Sequence, residues 1–324
     1  MRRGRVLPTI AVAAALAVAT GLGACGDDQA SSSPSGSGPD RVTVGVVPIV
    51  DVAAIHLGRR QGFFSAEKID LDLASGQGGA TIIPAVASGQ FQFGFSNVTS
   101  LLLAQNKGLK LKIVAAGDST TGTIGKDFGA VTVPRGSSIT RPADLAGRRV
   151  AVNTLNNIGT TTVAKVVRDD GGDPTKITFV ELGFPDMPGA LAKKQVDAAW
   201  TVEPFLSIVR QQGATAVAWP FAGTDAKLMI AAYFTSARFA AANPDLVKRF
   251  STAMNKSLAY AEAHPEQARA VLADYTKIDP KTAATLTMPR FPTEINADSL
   301  TLLGALAVKD GLLDTPPDVK ALLL

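Results

Sequence analysis

Residues 153–162 read NTLNNIGTTT and carry seven hydrogen-bonding side chains. They join RRVAV, a strand-like run, to VAKVV, a helix-like run. Such a joint needs one cap for the helix's unpaired N–H groups and one turn residue. Asn153, Thr154, Asn156, Asn157 and Thr160 exceed that need. With the amides near Gly159 and Thr160, they can surround a polar or anionic group without a formal cation. The alternative is that Asn153 and Thr160 only cap the helix and shape the turn.

Other strand-to-helix junctions carry similar side chains. Pro48 follows the first strand, and Gln77-Gly78-Gly79 opens a helix where glycine lets a ligand approach the backbone. Ser96 and Asn97 follow FQFGF, and Asp118 follows LKIVAAG. Each can instead be a plain helix cap or turn residue. Glu203 stands before Pro204 and either accepts from a donor group or caps the helix after it. Trp200 either walls a pocket or fills the core, and Trp219 is expected to be structural. His56 and His264 have no Cys or second His at metal-ligand spacing, so structural or surface roles are expected. The chain has no Gly-x-Ser-x-Gly elbow, no phosphate-binding GxxxxGK[ST] loop and no Cys/His pair for nucleophilic catalysis. No cofactor is expected.

Charge and composition exclude further classes. The first 24 residues, a basic head followed by an apolar run and small residues, read as an export signal. Removing Arg2, Arg3 and Arg5 takes three from the 32 Lys and Arg, leaving 29 against 28 Asp and Glu. A net charge of +1 gives no reason to expect a nucleic-acid partner. LGAC, ending at the single cysteine Cys25, resembles the bacterial lipobox, whose Cys is acylated and becomes the mature N-terminus. That resemblance implies a lipid anchor on the outer face of the cytoplasmic membrane. Residues 25–40 are rich in Ser, Gly and Pro and read as a flexible tether.

From Arg41 strands and helices alternate, which predicts an α/β domain with a largely parallel sheet. Strands are expected over 41–47, 69–73, 91–96 and 109–117, with Asp51 capping the first helix. The pattern restarts at Gly129, with strands near 129–134, 148–153, 176–182 and 196–202. From about Tyr233 the chain is expected to be mostly helical, with an apolar stripe at Leu246, Phe250, Met254 and Leu258.

Four segments, in order, resemble those of substrate-binding proteins of bacterial ABC importers. They are RQGFFSAEKIDLDL, AVASGQFQFGFSN, ITRPADLAGRRVAV and ALAKKQVDAAWTVEPF. Gln92 stands where an Asp is common and Lys194 at the usual Gly. The resemblance covers about residues 41–320 and is to the sulfonate, taurine and nitrate group, related to thiamine-pyrimidine binding proteins. It implies a two-lobed periplasmic-binding-protein-like fold of type II, each lobe a largely parallel α/β sheet with flanking helices. The expected lobes are 41–129 with 233–324, and 130–232, with crossings near Gly129 and Ala232.

The resemblance also implies a monomeric binding protein that takes a small polar or anionic solute between its lobes for membrane permease subunits. Ligands of parallel α/β sheets lie beyond the carboxyl ends of the strands. The candidate set is therefore Pro48, Gln77, Gly78, Ser96, Asn97, Asn153, Thr154, Asn156, Gly159, Thr160 and Glu203. A sulfonate, taurine or nitrate would suit the neutral donors, and Glu203 would suit a cationic end. A thiamine-pyrimidine precursor is the alternative solute. A pyrimidine-synthesising enzyme on the same fold is disfavoured, because its cysteine-rich motif is missing here.

Overall fold

The computed structural model describes residues 38–324. The export signal, Cys25 and nearly all of the tether lie outside the described residues. Among the described residues no helix is long and apolar enough to cross a membrane.

Ten strands form two sheets of five. In chain order they are β1 (Asp40–Val46), β2 (Ile69–Ser75), β3 (Phe93–Asn97), β4 (Leu111–Ser119) and β5 (Gly129–Val133). Then come β6 (Arg149–Val152), β7 (Thr178–Glu181), β8 (Ala198–Val202), β9 (Thr215–Ala218) and β10 (Met229–Ser236). One sheet has the order β2-β1-β3-β10-β4, the other β7-β6-β8-β5-β9. Within each, only one strand is reversed: β10 is antiparallel to β3 and β4, and β5 to β8 and β9. These two are the strands the chain enters after changing sheet. It leaves β4 and β9 at their carboxyl ends, so the next strand must run back from that end. The rest of each sheet is parallel in direction, as the α/β alternation predicts.

One sequence expectation needs correction. Residues from Tyr233 are not yet helical, because β10 runs to Ser236. Near the expected second crossing at Ala232, β10 pairs with β4 from Met229 and with β3 from Ala231. All eight residues of β10 are buried, so MIAAYFTS shows no alternation. A short continuous apolar run cannot be assigned by period alone.

The expected stripe lies on the helix Pro244–Ala263. Phe250, Met254 and Leu258 are buried on it, and Leu246 is partly buried against the core. The Phe250 ring stacks on Phe93 of β3 at 3.9 Å between centroids and lies against Phe64. This helix therefore covers the first sheet, although it follows the second in sequence.

Two tight structures join the sheets. Asp127, between β4 and β5, accepts from the Thr120 hydroxyl at 2.5 Å and from three amides, Thr121, Phe128 and Ala222, each at 3.0 Å. Ala222 belongs to the connection that leads out of the second sheet, so one carboxylate pins both crossings. Val50 N donates to Glu203 O at 3.2 Å nearby.

Truncating Phe250 removes a buried ring that joins a helix to β3. Phe250→Ala should destabilise the protein by about 3–5 kcal/mol. Urea unfolding with an unchanged slope would measure it; a loss under about 1 kcal/mol would mean that this helix is not fixed by that ring.

Candidate functional site

Between the sheets lies a cavity of about 40 Å³, lined from both. That volume is a few water-sized positions, so the sheets are drawn close together. Val47, Ile49, Asp51, Ser96 and Asn97 come from the ends of β1 and β3, with Gly78 and Gly79 between them in sequence. Asn153, Asn157, Ile158 and Trp200 come from the other side. The helices Gly79–Ser88, Val98–Asn106 and Ile158–Asp169 all begin here, bringing their positive ends together.

Asn157 is the hub of the NTLNNIGTTT joint. Its Oδ1 accepts from the amides of Gly159 at 2.9 Å and Thr160 at 3.2 Å. Its Nδ2 donates to Asn153 Oδ1 at 2.7 Å and Thr154 Oγ1 at 3.0 Å. Thr160 Oγ1 accepts from Asn157 N and donates to Asn157 O, which closes a capping box. Most of the polar surplus thus satisfies itself. Asn153 Nδ2 is the exception, reaching across to Gln77 O at 3.0 Å. A second bridge runs from Ile158 N to Asn97 Oδ1 at 3.3 Å. Further out, Arg168 on the Ile158–Asp169 helix pairs with Asp310, past the helix Ala297–Lys309.

The candidates therefore separate. Gly78, Ser96, Asn97 and Asn153 line the cavity. Asn97 also caps the helix it precedes, through Ser100 N at 2.9 Å. Pro48 does not line it, although both its neighbours do. Gln77 is exposed and contributes its carbonyl to the bridge from Asn153. Thr154 and Thr160 are buried in the capping network. Asn156 is exposed in a left-handed turn with φ 52° and faces outward. Gly159 packs beneath Trp200, where a Cβ would lie 2.6 Å from the indole. Glu203 misses the cavity: its oxygens accept from Ser207 N at 2.9 Å and Ser207 Oγ at 2.8 Å. That carboxylate closes the first turn of the helix Phe205–Gln211.

The sequence names both acids near the cavity, Asp51 as a cap and Asp118 as a junction residue, but does not place them. Asp51 does not cap the first helix; it sits in a 3-10 turn before it, 3% exposed, and lines the cavity. Asp118, near the end of β4, is fully buried on a strand packed against the turn that carries Asp51. As two carboxylates they have no proton between them, and Asp51 Oδ2 and both Asp118 oxygens lack a partner. With a proton on one, the acid can donate to the other. Burial raises the Asp51 carboxyl to about 7, and the charge of Asp127 adds to this against the hydrogen bond from Asp118. Asp118 is held well above the carboxylate range by burial and then by the charge of Asp51. Tyr233 OH and Trp200 Nε1 are also buried without partners. The sequence signals are Asp51, an acid in the PIVDV turn after the first strand, and Asp118, which follows LKIVAAG.

The sequence model of a family described as NMT1/THI5 like matches residues 50–268. The chain belongs to this family. Its fold resembles the periplasmic aliphatic sulphonate binding protein SsuA of Escherichia coli, at 19% identity, TM-score 0.71, over 88% of this chain and 97% of that one. The alkanesulfonate-binding protein SsuA of Xanthomonas axonopodis pv. citri, bound to MOPS, aligns at 19% identity, TM-score 0.75, over 89% and 99%. The periplasmic nitrate-binding protein NrtA of Synechocystis PCC 6803 aligns at 12% identity, TM-score 0.73, over 87% and 84%. No curated protein matches the sequence. The two-lobed periplasmic-binding-protein fold expected from the resemblance is the fold of this family member.

Removing the hub should show that the joint is chiefly a cap. Asn157→Ala is expected to cost about 0.5–2 kcal/mol in urea unfolding. Asn156→Gly, at an exposed left-handed position, should change stability by less than about 0.5 kcal/mol. Equal losses would contradict the division of roles.

The acids also give stability a pH dependence. A carboxyl raised from 3.8 to about 7 keeps a proton in the folded state that the unfolded chain has lost. Its contribution is full below the unfolded value and is lost as pH rises through about 7. Glu203, raised to about 7 by burial despite the Ser207 hydrogen bonds, acts in the same direction. Asp51→Asn should flatten part of this fall in urea midpoints measured across that range. An unchanged slope would clear Asp51 of the effect.

Proposed function

We propose that the chain is the solute-capturing component of an ABC importer, working outside the cytoplasmic membrane. The observation that carries this reading is the cavity between two sheets, built from both and sited beyond the carboxyl ends of their parallel strands. Similarity of fold to sulfonate- and nitrate-binding proteins supports it. A small solute enters between separated lobes, and closure forms the two bridges and the Arg168–Asp310 pair around it. The closed form is then presented to permease subunits. The LGAC segment supports acylation at Cys25 and release of residues 1–24, with residues 25–40 as the tether. The protein acts as a monomer and not as an enzyme.

Among the described residues no Lys or Arg lines the cavity. An anionic end would therefore be held by helix N-termini and neutral donors around Gly78, Ser96 and Asn97. Glu203, expected to meet a cationic end, does not line the cavity, and Asp51 is the acid that does.

The reading is tested by a thermal-shift screen of small polar solutes, followed by small-angle scattering. A ligand of the folded state raises the apparent melting temperature, and closure lowers the radius of gyration. Arg168→Ala removes a pair that joins helices from opposite lobes. Hydrogen bonds to charged groups are worth about 1.5–3 kcal/mol, and 1.4 kcal/mol is about tenfold in affinity. Capture should weaken roughly 10- to 100-fold, with the lobes on average further apart. Unchanged affinity would remove the pair from the closure mechanism, and a chain that binds no small solute would overturn the function.

A further inference from the structure

The cavity presents a charge problem that an anionic solute does not solve. Asp51 is buried, lines the cavity, and has an oxygen with no partner. Asp118, on the strand that packs against the turn carrying Asp51, is fully buried, with neither oxygen partnered. An ionised carboxylate away from water must be paired or take up a proton. Two that share a site cannot both ionise without a counter-charge.

Among the described residues the groups around the pair supply no cation. From the β4–β5 connection comes Asp127, whose charge already accepts from Thr120, Thr121, Phe128 and Ala222. From β10 comes Tyr233, whose buried hydroxyl lies in the field of both acids. Tyr275 also lies in the field of Asp51 and donates to Ile49 O at 3.0 Å. On the first helix His56 stacks on Tyr275, and burial lowers it to about 3, so it stays neutral. Among the described residues no three His, Cys, Asp or Glu are grouped to hold a metal ion. On the opposite wall Trp200, 3% exposed, lines the same cavity, and its buried N–H donor has no partner. A donor there fits an acceptor atom of a solute, and a ring there favours a cation.

We infer that Asp51, backed by Asp118, is the receptor for a cationic nitrogen on the solute, exchanging a dyad proton for that cation when the lobes close. The solute class is a small aminoalkyl compound: an ammonium group at one end and an acceptor group at the other. This rests on the solute-capture reading and specifies its ligand. The exchange balances: one proton leaves Asp51 for solvent and one positive charge arrives on the solute. An alkylammonium keeps its own proton at neutral pH, as lysine does at about 10.4.

The linkage has a definite sign. Below about pH 7 the Asp51 proton must be displaced, so one proton is released per solute bound. Apparent affinity should fall about tenfold for each pH unit below that value and level off above it. An anion held by helix ends alone would show no such proton release.

The full chain can be titrated calorimetrically with three matched pairs: ethanolamine and ethylene glycol, glycine and glycolate, 2-aminoethanesulfonate and 2-hydroxyethanesulfonate. Members of a pair differ only in ammonium against hydroxyl. At least one amine should bind tenfold or more tighter than its hydroxyl partner. Heats in buffers of different ionisation enthalpy, near pH 6 and near pH 8, should show close to one proton released at the lower pH and little at the higher. Asp51→Asn should remove that preference. Asp118→Asn, whose amide can donate as the protonated acid does, should retain it. The wild-type proton count needs no variant, so a variant that fails to fold leaves the test intact. Hydroxyl members that bind as well as the amines, or amine binding without proton release, would overturn the inference. So would failure of all three amines to bind. If a sulfonate or nitrate then binds with lobe closure, the solute-capture reading survives alone; if no small solute binds at all, both fail.

Discussion

The two sheets meet at the carboxyl ends of their parallel strands, and the chain can pass between them only there. That constraint fixes the direction of β5 and β10, which must run back from the meeting line. It gathers three helix N-termini around one small space. It also places strand-end residues from distant parts of the sequence in contact: Asn97 meets Ile158, and Gln77 meets Asn153. Asp127 keeps the crossings in register by accepting from both connections at once. A carboxylate held by donors from both connections makes a rigid pivot at this point.

Polar groups in this region follow two different rules. Those of the 153–160 joint satisfy one another through Asn157, so their number reflects the cost of burying a helix start. The acids at the cavity can satisfy one another only with a proton between them. Asp51 and Asp118 lie in an interior where Asp127 finds five donor contacts and they find none beyond the pair itself. The contrast between Asp127 and Asp51 is one of partners rather than depth. Unsatisfied buried polar groups are uncommon in native proteins and concentrate where a ligand or proton is handled.

Much of the architecture is legible without coordinates. Strand–helix alternation, its restart at Gly129 and the stripe at Phe250, Met254 and Leu258 are local periodicities, and local sequence encodes period directly. The four family-like segments lie within or near residues 50–268, the span matched by the NMT1/THI5-like family. β10 was misread because a strand buried on both faces has no polar alternation to reveal it. Gly78, Ser96, Asn97 and Asn153 were found because a strand end followed by a polar helix start is itself a sequence pattern.

Asp51, Asp118, Asn156 and Glu203 show where that pattern stops. Each is a polar residue near a strand end, and in sequence they are equivalent. Asn156 turns outward on a left-handed bend; Glu203 folds back onto Ser207; Asp118 lies on the strand packed against the turn of Asp51; and only Asp51 reaches the cavity. The amino-acid order determined which residues come to the meeting line of the sheets, because strand and helix ends are set by nearest neighbours. Which of them face the cavity, and which are left without partners, was decided only by packing, because burial and hydrogen-bond satisfaction depend on segments more than sixty residues apart, such as Asp51 and Asp118.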